Sequence, residues 1–76
     1  MADVDQFRSI ELARLALGIG ARWLRPGGVC VVKVLRGADF DAFLQEVHTQ
    51  FRRVESVSLR ASRDRSREVY ILCWKA

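Results

Sequence analysis

From Asp5 to Leu24 the apolar residues Phe7, Ile10, Ala13, Leu17, Ala21 and Leu24 recur at steps of three and four, with Leu12, Ala16, Ile19 and Trp23 on an adjoining stripe. That spacing predicts a helix with a broad buried face. Gly18 and Gly20 each weaken it by roughly 1 kcal/mol relative to alanine, which implies close packing of another element there or a loosened last turn. Pro26-Gly27-Gly28 stops the helix and turns the chain. Val29 to Leu35 is apolar at both odd and even positions except for Lys33, the pattern of an interior parallel strand covered on both sides. Gly37 ends that strand, and Asp39 is placed to N-cap a second helix running to about Phe51 through Phe40, Phe43, Leu44 and Val47. Val54, Val57 and Leu59 mark a second strand, Ala61 to Arg67 a polar loop, and Val69 to Trp74 a third strand.

The order is helix, strand, helix, strand, strand, which places the chain in the α/β class with a mixed three-stranded sheet. A helix joins the first two strands, so they are expected to run parallel, and a short loop makes the last two antiparallel. The third strand then fits between the other two, leaving the first with one unpaired edge. So apolar an edge is a template for pairing with another chain.

Length allows one domain: at 76 residues the chain buries only a little over about 60% of its unfolded surface. Half of the residues are hydrophobic, which argues against disorder. Lys and Arg number 13 against 9 Asp and Glu, for a net charge of +4. The distribution matters more, because Arg52, Arg53, Arg60, Arg63, Arg65 and Arg67 crowd one stretch with only Glu55 and Asp64 to offset them. Such a run serves equally as a solvated loop or as a contact for a polyanion such as RNA. Cys30 and Cys73 form no CxxC pair and read as buried, reduced thiols, and a single His is too few for an ordinary zinc site. The acidic start lacks the basic region of a signal peptide, and Glu11, Arg14 and Arg22 interrupt the longest apolar stretch, so a cytoplasmic location is expected, with the mitochondrial matrix as the alternative.

Two charged residues sit in unusual places. Lys33 stands in the middle of an apolar strand and Glu68 at the start of a later one. Taken alone, Lys33 serves to discourage edge-to-edge aggregation, and Glu68 to neutralise Arg65 or Arg67. Tyr70 and Trp74, on alternating strand positions, are expected to pack inward.

The stretches Leu24-Arg25-Pro26-Gly27-Gly28-Val29-Cys30-Val31-Val32-Lys33-Val34 and Arg65-Ser66-Arg67-Glu68-Val69-Tyr70-Ile71-Leu72 change that reading. With them, the chain resembles the C-terminal part of the FtsJ/RrmJ (RlmE) family of S-adenosylmethionine-dependent ribose 2′-O-methyltransferases. The Pro-Gly-Gly turn before a strand is common to Rossmann-like methyltransferases, whereas the Val-Val-Lys-Val strand followed by Ser-Arg-Glu-Val-Tyr is more specific. The resemblance implies the C-terminal half of a Rossmann-like fold, with residues 1–76 as one partial domain lacking the cofactor-binding half. It implies transfer of a methyl group from S-adenosylmethionine to a ribose 2′-oxygen of RNA, large-subunit ribosomal RNA above all. Of the family's Lys-Asp-Lys-Glu tetrad, Lys33 takes the place of the second lysine and Glu68 that of the glutamate, while the first lysine and the aspartate have no counterpart. The family's glycine-rich cofactor loop has none either, and Gly18-Ile19-Gly20 lies inside a helix. By the same resemblance Arg60, Arg63, Arg65 and Arg67 contact RNA phosphates, positioning substrate without reading its sequence.

The chemistry fits the two residues. A ribose hydroxyl is a poor nucleophile until it is held in line and relieved of its proton, and a desolvated lysine oriented by a carboxylate can do both. The flanking valines are expected to supply the desolvation, and Glu68 to reach Lys33 across the sheet. With half the tetrad missing, the isolated chain is expected to be inactive. Two other readings stand beside this one: a non-catalytic RNA-binding module using the Arg60 to Arg67 loop, and an interaction domain that pairs with itself or with a complementing polypeptide through the Val29 to Val34 edge.

Overall fold

The computed structural model of the chain describes residues 3–58 and 67–76. Helix α1 spans Val4–Trp23, strand β1 Val29–Leu35, helix α2 Phe40–His48, strand β2 Arg53–Ser58 and strand β3 Glu68–Trp74. The predicted order of elements therefore holds. Leu59 and the Ala61 to Ser66 part of the predicted loop lie outside the described residues.

The sheet has the order β1-β3-β2, as expected from the connections. Both ladders are antiparallel, Lys33 facing Tyr70 on one side of β3 and Val57 facing it on the other. β1 and β2 point the same way, but β3 separates them, so the parallel relation is one of direction and never of pairing.

One core holds the molecule. Ile10, Ala13 and Leu17 from α1, Phe43 and Val47 from α2, and Phe51 beyond it pack on Val32 and Val34 of β1 and on Val69, Ile71 and Cys73 of β3. These strand residues share one face, so both helices lie on the same side of the sheet. The expectation that β1 is covered on both sides is thereby corrected. Val29 and Val31 lie on the opposite face, where Val31 keeps 53% of its surface in water. The face of α1 is also narrower than its sequence suggests. Phe7, Leu12, Ile19 and Trp23 are exposed, Trp23 at 75%, because a helix lying on a flat sheet buries only the stripe directed at it.

That stripe begins with a polar residue. Gln6 is 2% exposed and stands four residues before Ile10. Its amide oxygen, turned toward the β1–α2 corner, accepts from the backbone N–H groups of Gly37 (3.2 Å) and Asp39 (3.3 Å). Asp39 sits at the N-cap position of α2 as predicted, but its own carboxylate makes no capping bond. A Cβ at Gly37 would stand 2.5 Å from Gln6 Cδ, so any larger residue at the corner would displace the buried Gln6 side chain. Of the two helix glycines, Gly20 alone is a packing site. A Cβ there would meet Cys30 Sγ at 3.2 Å, whereas Gly18 faces open space.

The helix ends are closed in different ways. The Lys75 ammonium donates to the Leu24 carbonyl (2.9 Å) just past α1. Gly27, at φ +85°, and Gly28 together face Lys75, the Gly27 N–H donating to its carbonyl and its own N–H donating to Gly28, both at 2.9 Å. Two residues opposite one make a bulge, and the positive φ is why glycine stands there. α2 stops at His48, short of the predicted Phe51, as its last turn tightens: Thr49 donates to Glu46 and Gln50 to Val47. Phe51 is nevertheless buried.

Cys30 and Cys73 are free and face each other across β1 and β3. Burial pushes both thiols up, and that of Cys73, with Cys30 beside it, to about 11.

Two predictions follow from the packing. Gly37→Ala should lower unfolding free energy by about 1 to 3 kcal/mol in urea titrations, and combining it with Gln6→Ala should cost less than the sum of the two changes. Cys73 should contribute stability that is complete below the ordinary thiol range near pH 9 and is lost as the pH rises toward about 11, because the unfolded chain releases that proton first. Thermal unfolding between pH 8 and 11 with and without Cys73→Ala reads this directly, and a curve of unchanged pH dependence in the variant would contradict it.

Candidate functional site

Strand alternation sends Val29, Val31, Lys33 and Leu35 of β1 to the face away from the helices, with Glu68, Tyr70, Leu72 and Trp74 of β3 beside them. Lys33 is registered with Tyr70, and Leu35 with Glu68, so Lys33 and Glu68 are diagonal neighbours on this bare face. Their side chains meet, Lys33 Nζ standing 3.5 Å from Glu68 Oε2. Both are accessible, at 51% and 44% of their side-chain surface.

The expected desolvation of Lys33 by its neighbours is not found. Val32 and Val34 are adjacent in sequence, and for that reason their side chains point into the core on the opposite face. Tyr70 and Trp74 are likewise corrected: they lie on the bare face and are only partly buried, while Val69, Ile71 and Cys73 pack inward. The Arg53 guanidinium lies over the Trp74 ring, 4.7 Å from its centroid, and pairs with Glu55. The bare face thus carries Lys33 and Arg53 as cations, Glu55 and Glu68 as anions, and an apolar and aromatic floor between them.

Arg60, Arg63 and Arg65 lie outside the described residues. Arg67 does not extend toward solvent as a free cation. It donates to Asp3 Oδ2 (2.6 Å) and to the Arg36 carbonyl (3.1 Å), while the other Asp3 oxygen accepts from the Gln6 N–H (3.2 Å) as the N-cap of α1. The hydrogen bond from Arg67, and then that from Gln6, holds the Asp3 carboxyl below its ordinary range. Arg67 therefore answers Asp3, while Arg65, the other arginine that Glu68 was expected to neutralise, lies outside the described residues. Nothing in the sequence signals a pair separated by so much chain. Gln6, by contrast, was legible as a polar residue on the Ile10, Ala13, Leu17 stripe.

A family model described as FtsJ-like methyltransferase matches residues 1–76. The chain belongs to the FtsJ-like methyltransferase family. Relatives named ribosomal RNA large subunit methyltransferase E are similar to it: that of Methylobacillus flagellatus is 44% identical over 72 residues, covering 95% of this chain and 35% of the relative. That of Methanothrix thermoacetophila is 47% identical over 70 residues, covering 92% and 28%. That of Azoarcus sp. is 47% identical over 72 residues, covering 95% and 35%. The chain thus spans about a third of the length of the curated relatives it matches.

Membership of an FtsJ-like methyltransferase family implies a methyl donor, and the residues present can be tested against one. A donor with a carboxylate or an adenosine needs free backbone amides or a polar cradle. Among the described residues the glycine amides are committed: Gly27 donates to Lys75, Gly28 to Arg25 (2.8 Å), and Gly37 to Gln6, while Gly18 and Gly20 lie within α1. Among the described residues the glycines therefore offer no free amide cradle for such a group.

Replacing Arg67 by Ala should return the Asp3 carboxyl toward the ordinary aspartate value, since its largest lowering influence is removed while the Gln6 bond remains. Side-chain NMR titration of Asp3 gives the answer, and no upward movement would mean that the Arg67–Asp3 pair does not persist in solution.

Proposed function

We propose that this chain supplies part of the catalytic set of an S-adenosylmethionine-dependent methyltransferase that modifies a ribose 2′-hydroxyl of large-subunit ribosomal RNA. The observation that carries the proposal is the Lys33–Glu68 pair on the bare face of a chain that belongs to the FtsJ-like family. The names of the relatives support the ribosomal RNA substrate. The donor assigned is S-adenosylmethionine, and holding it falls to residues other than those described in this chain.

Lys33 holds the ribose 2′-oxygen and takes its proton, and Glu68 fixes the direction of the Lys33 amine. As an ammonium, Lys33 only donates hydrogen bonds. It accepts a proton only after yielding one of its own, and the carboxylate of Glu68, 3.5 Å away, stands beside it for that exchange. Arg60, Arg63 and Arg65 add phosphate contacts, a role that makes RNA affinity fall with salt.

The test uses the Methylobacillus flagellatus relative with its matching segment replaced by this chain. That fusion should transfer tritium from labelled S-adenosylmethionine to ribosomal RNA, with the label resistant to base hydrolysis at a single ribose. Lys33→Ala should lower the rate by about 10² to 10⁴-fold, Glu68→Gln by less, and the 76-residue chain alone should be inactive. Full activity of the Lys33→Ala fusion would sink the assignment.

A further inference from the structure

We infer that Trp23, Arg25 and Arg52 form a second RNA contact at the end of the sheet remote from Lys33 and Glu68, where a flanking stretch of substrate lays a base on the Trp23 ring and phosphates on the guanidinium groups. This inference rests on the reading of the substrate as RNA, and not on the catalytic role of Lys33.

The end of β3 lies between the two halves of this site. On one side the turn over residues 24–28 grips Lys75: the Gly27 N–H donates to its carbonyl, the Lys75 N–H to Gly28 and the Lys75 ammonium to the Leu24 carbonyl, each at 2.9 Å. On the other side the Arg52 N–H donates to the Trp74 carbonyl at 3.0 Å. The turn that carries Arg25 and the backbone of Arg52 are therefore held two strand spacings apart, about 10 Å. Trp23 ends α1 just before that turn and is 75% exposed, more than any other large apolar side chain among the described residues. Lys33 stands about 16 Å along β1 from Gly28, at about 3.3 Å per residue.

Charge separates along the same direction. Asp3, Asp5, Asp39 and Asp41 stand at the starts of the two helices and Glu68 at the start of β3, where Arg67 answers Asp3 and Lys33 answers Glu68. Arg22, Arg25, Arg52, Arg53 and Lys75 stand at the opposite end, where both helices finish. Two of these five are engaged: Arg53 with Glu55 and the Trp74 ring, and Lys75 with the Leu24 carbonyl. Among the described residues the exposed side chains of Arg22, Arg25 and Arg52 make no hydrogen bond or ion pair. Helix C-termini favour nearby cations, but the Leu24 carbonyl is already satisfied by Lys75, which leaves the three guanidinium groups their full sets of donors.

Single-stranded RNA matches this set of groups. A guanidinium takes phosphate oxygens in pairs, and any base can stack on an exposed indole. An anionic membrane would also draw arginine and tryptophan, but Leu12, Leu15 and Ile19, the other exposed apolar residues toward that end of α1, would carry a lipid plane back along the helix and away from Arg52. An RNA strand that follows the rim of the sheet from Trp23 past the end of β3 meets both halves of the site. Such contacts hold substrate in place without reading its sequence, and they do so well away from the ribose that Lys33 and Glu68 would address.

The experiment is fluorescence anisotropy of a labelled single-stranded RNA of mixed sequence with the 76-residue chain, over about 50 to 200 mM salt. Arg25→Gln combined with Arg52→Gln should weaken binding by at least about 10-fold at the low end and flatten the logarithmic salt slope by about 1.4, the share of two phosphates on a single strand. Trp23→Ala should weaken it by about 5- to 100-fold with the slope unchanged, and Trp23→Phe should restore most of the loss. All three side chains are exposed, so circular dichroism and melting temperature should stay as in the parent chain. Parental affinity in the double arginine variant overturns the inference and hands RNA contact to Arg60, Arg63 and Arg65. Parental affinity in Trp23→Ala overturns it as well, and so does Trp23-dependent binding to phosphatidylglycerol vesicles but not to RNA. In the Methylobacillus flagellatus fusion the two arginine changes should raise KM for ribosomal RNA and leave kcat alone. A fusion whose RNA binding depends on these residues but which transfers no methyl group would sink the catalytic proposal and leave this one standing, and methyl transfer with an unchanged KM would do the reverse.

Discussion

Everything in this molecule hangs on β3. It is the only strand described that is paired on both sides, and it joins β1 to β2, which are separated in sequence by a whole helix. Its inward residues Val69, Ile71 and Cys73 are almost wholly out of water and belong to the one core that both helices enter. Its outward residues carry the candidate chemistry. A strand that serves as floor on one face and as site on the other fixes the position of Glu68 as firmly as that of Ile71, because a slip of one residue would exchange the two faces.

How much of this was legible in the sequence depends on the range of the interaction. The five elements were, since α1 and α2 announce themselves through steps of three and four and the strands through β-branched runs, all of them local signals. The placement of β3 between β1 and β2 followed from connection lengths, and the meeting of Lys33 with Glu68 followed from that placement. The misreadings share one cause. β1, apolar at both odd and even positions, reads as covered on both sides, and Tyr70 and Trp74, aromatics on alternating positions, read as packed inward, whereas the described structure places both helices on one side only. Sequence reports what a residue is suited to, and the structure reports what stands against it. The Asp3–Arg67 pair had no local signal at all, and the loose fit between predicted and observed ends of α2 reflects a last turn that tightens where Phe51 drops into the core.

The charge pattern acquires a different sense once the fold is known. A run of arginines suggested a uniform polyanion contact, yet Arg67 is engaged with Asp3 and the Arg36 carbonyl, and Arg53 with Glu55 and the ring of Trp74. Both pairs are solvent-accessible and individually weak. They matter by aiming side chains: each removes a cation from the pool that an RNA strand would meet first.

The clasp at the start of α1 has a consequence for the order in which the chain can fold. Asp3 and Gln6 belong to the first turn, but their partners are Arg67 and the Gly37 and Asp39 amides. During synthesis α1 emerges before its partners, with its capping carboxylate and buried amide both waiting for them. The corner at Gly37 arrives later and the Arg67 guanidinium that completes the cap later still. The first turn of α1 therefore cannot reach its final state until the start of β3 has been made.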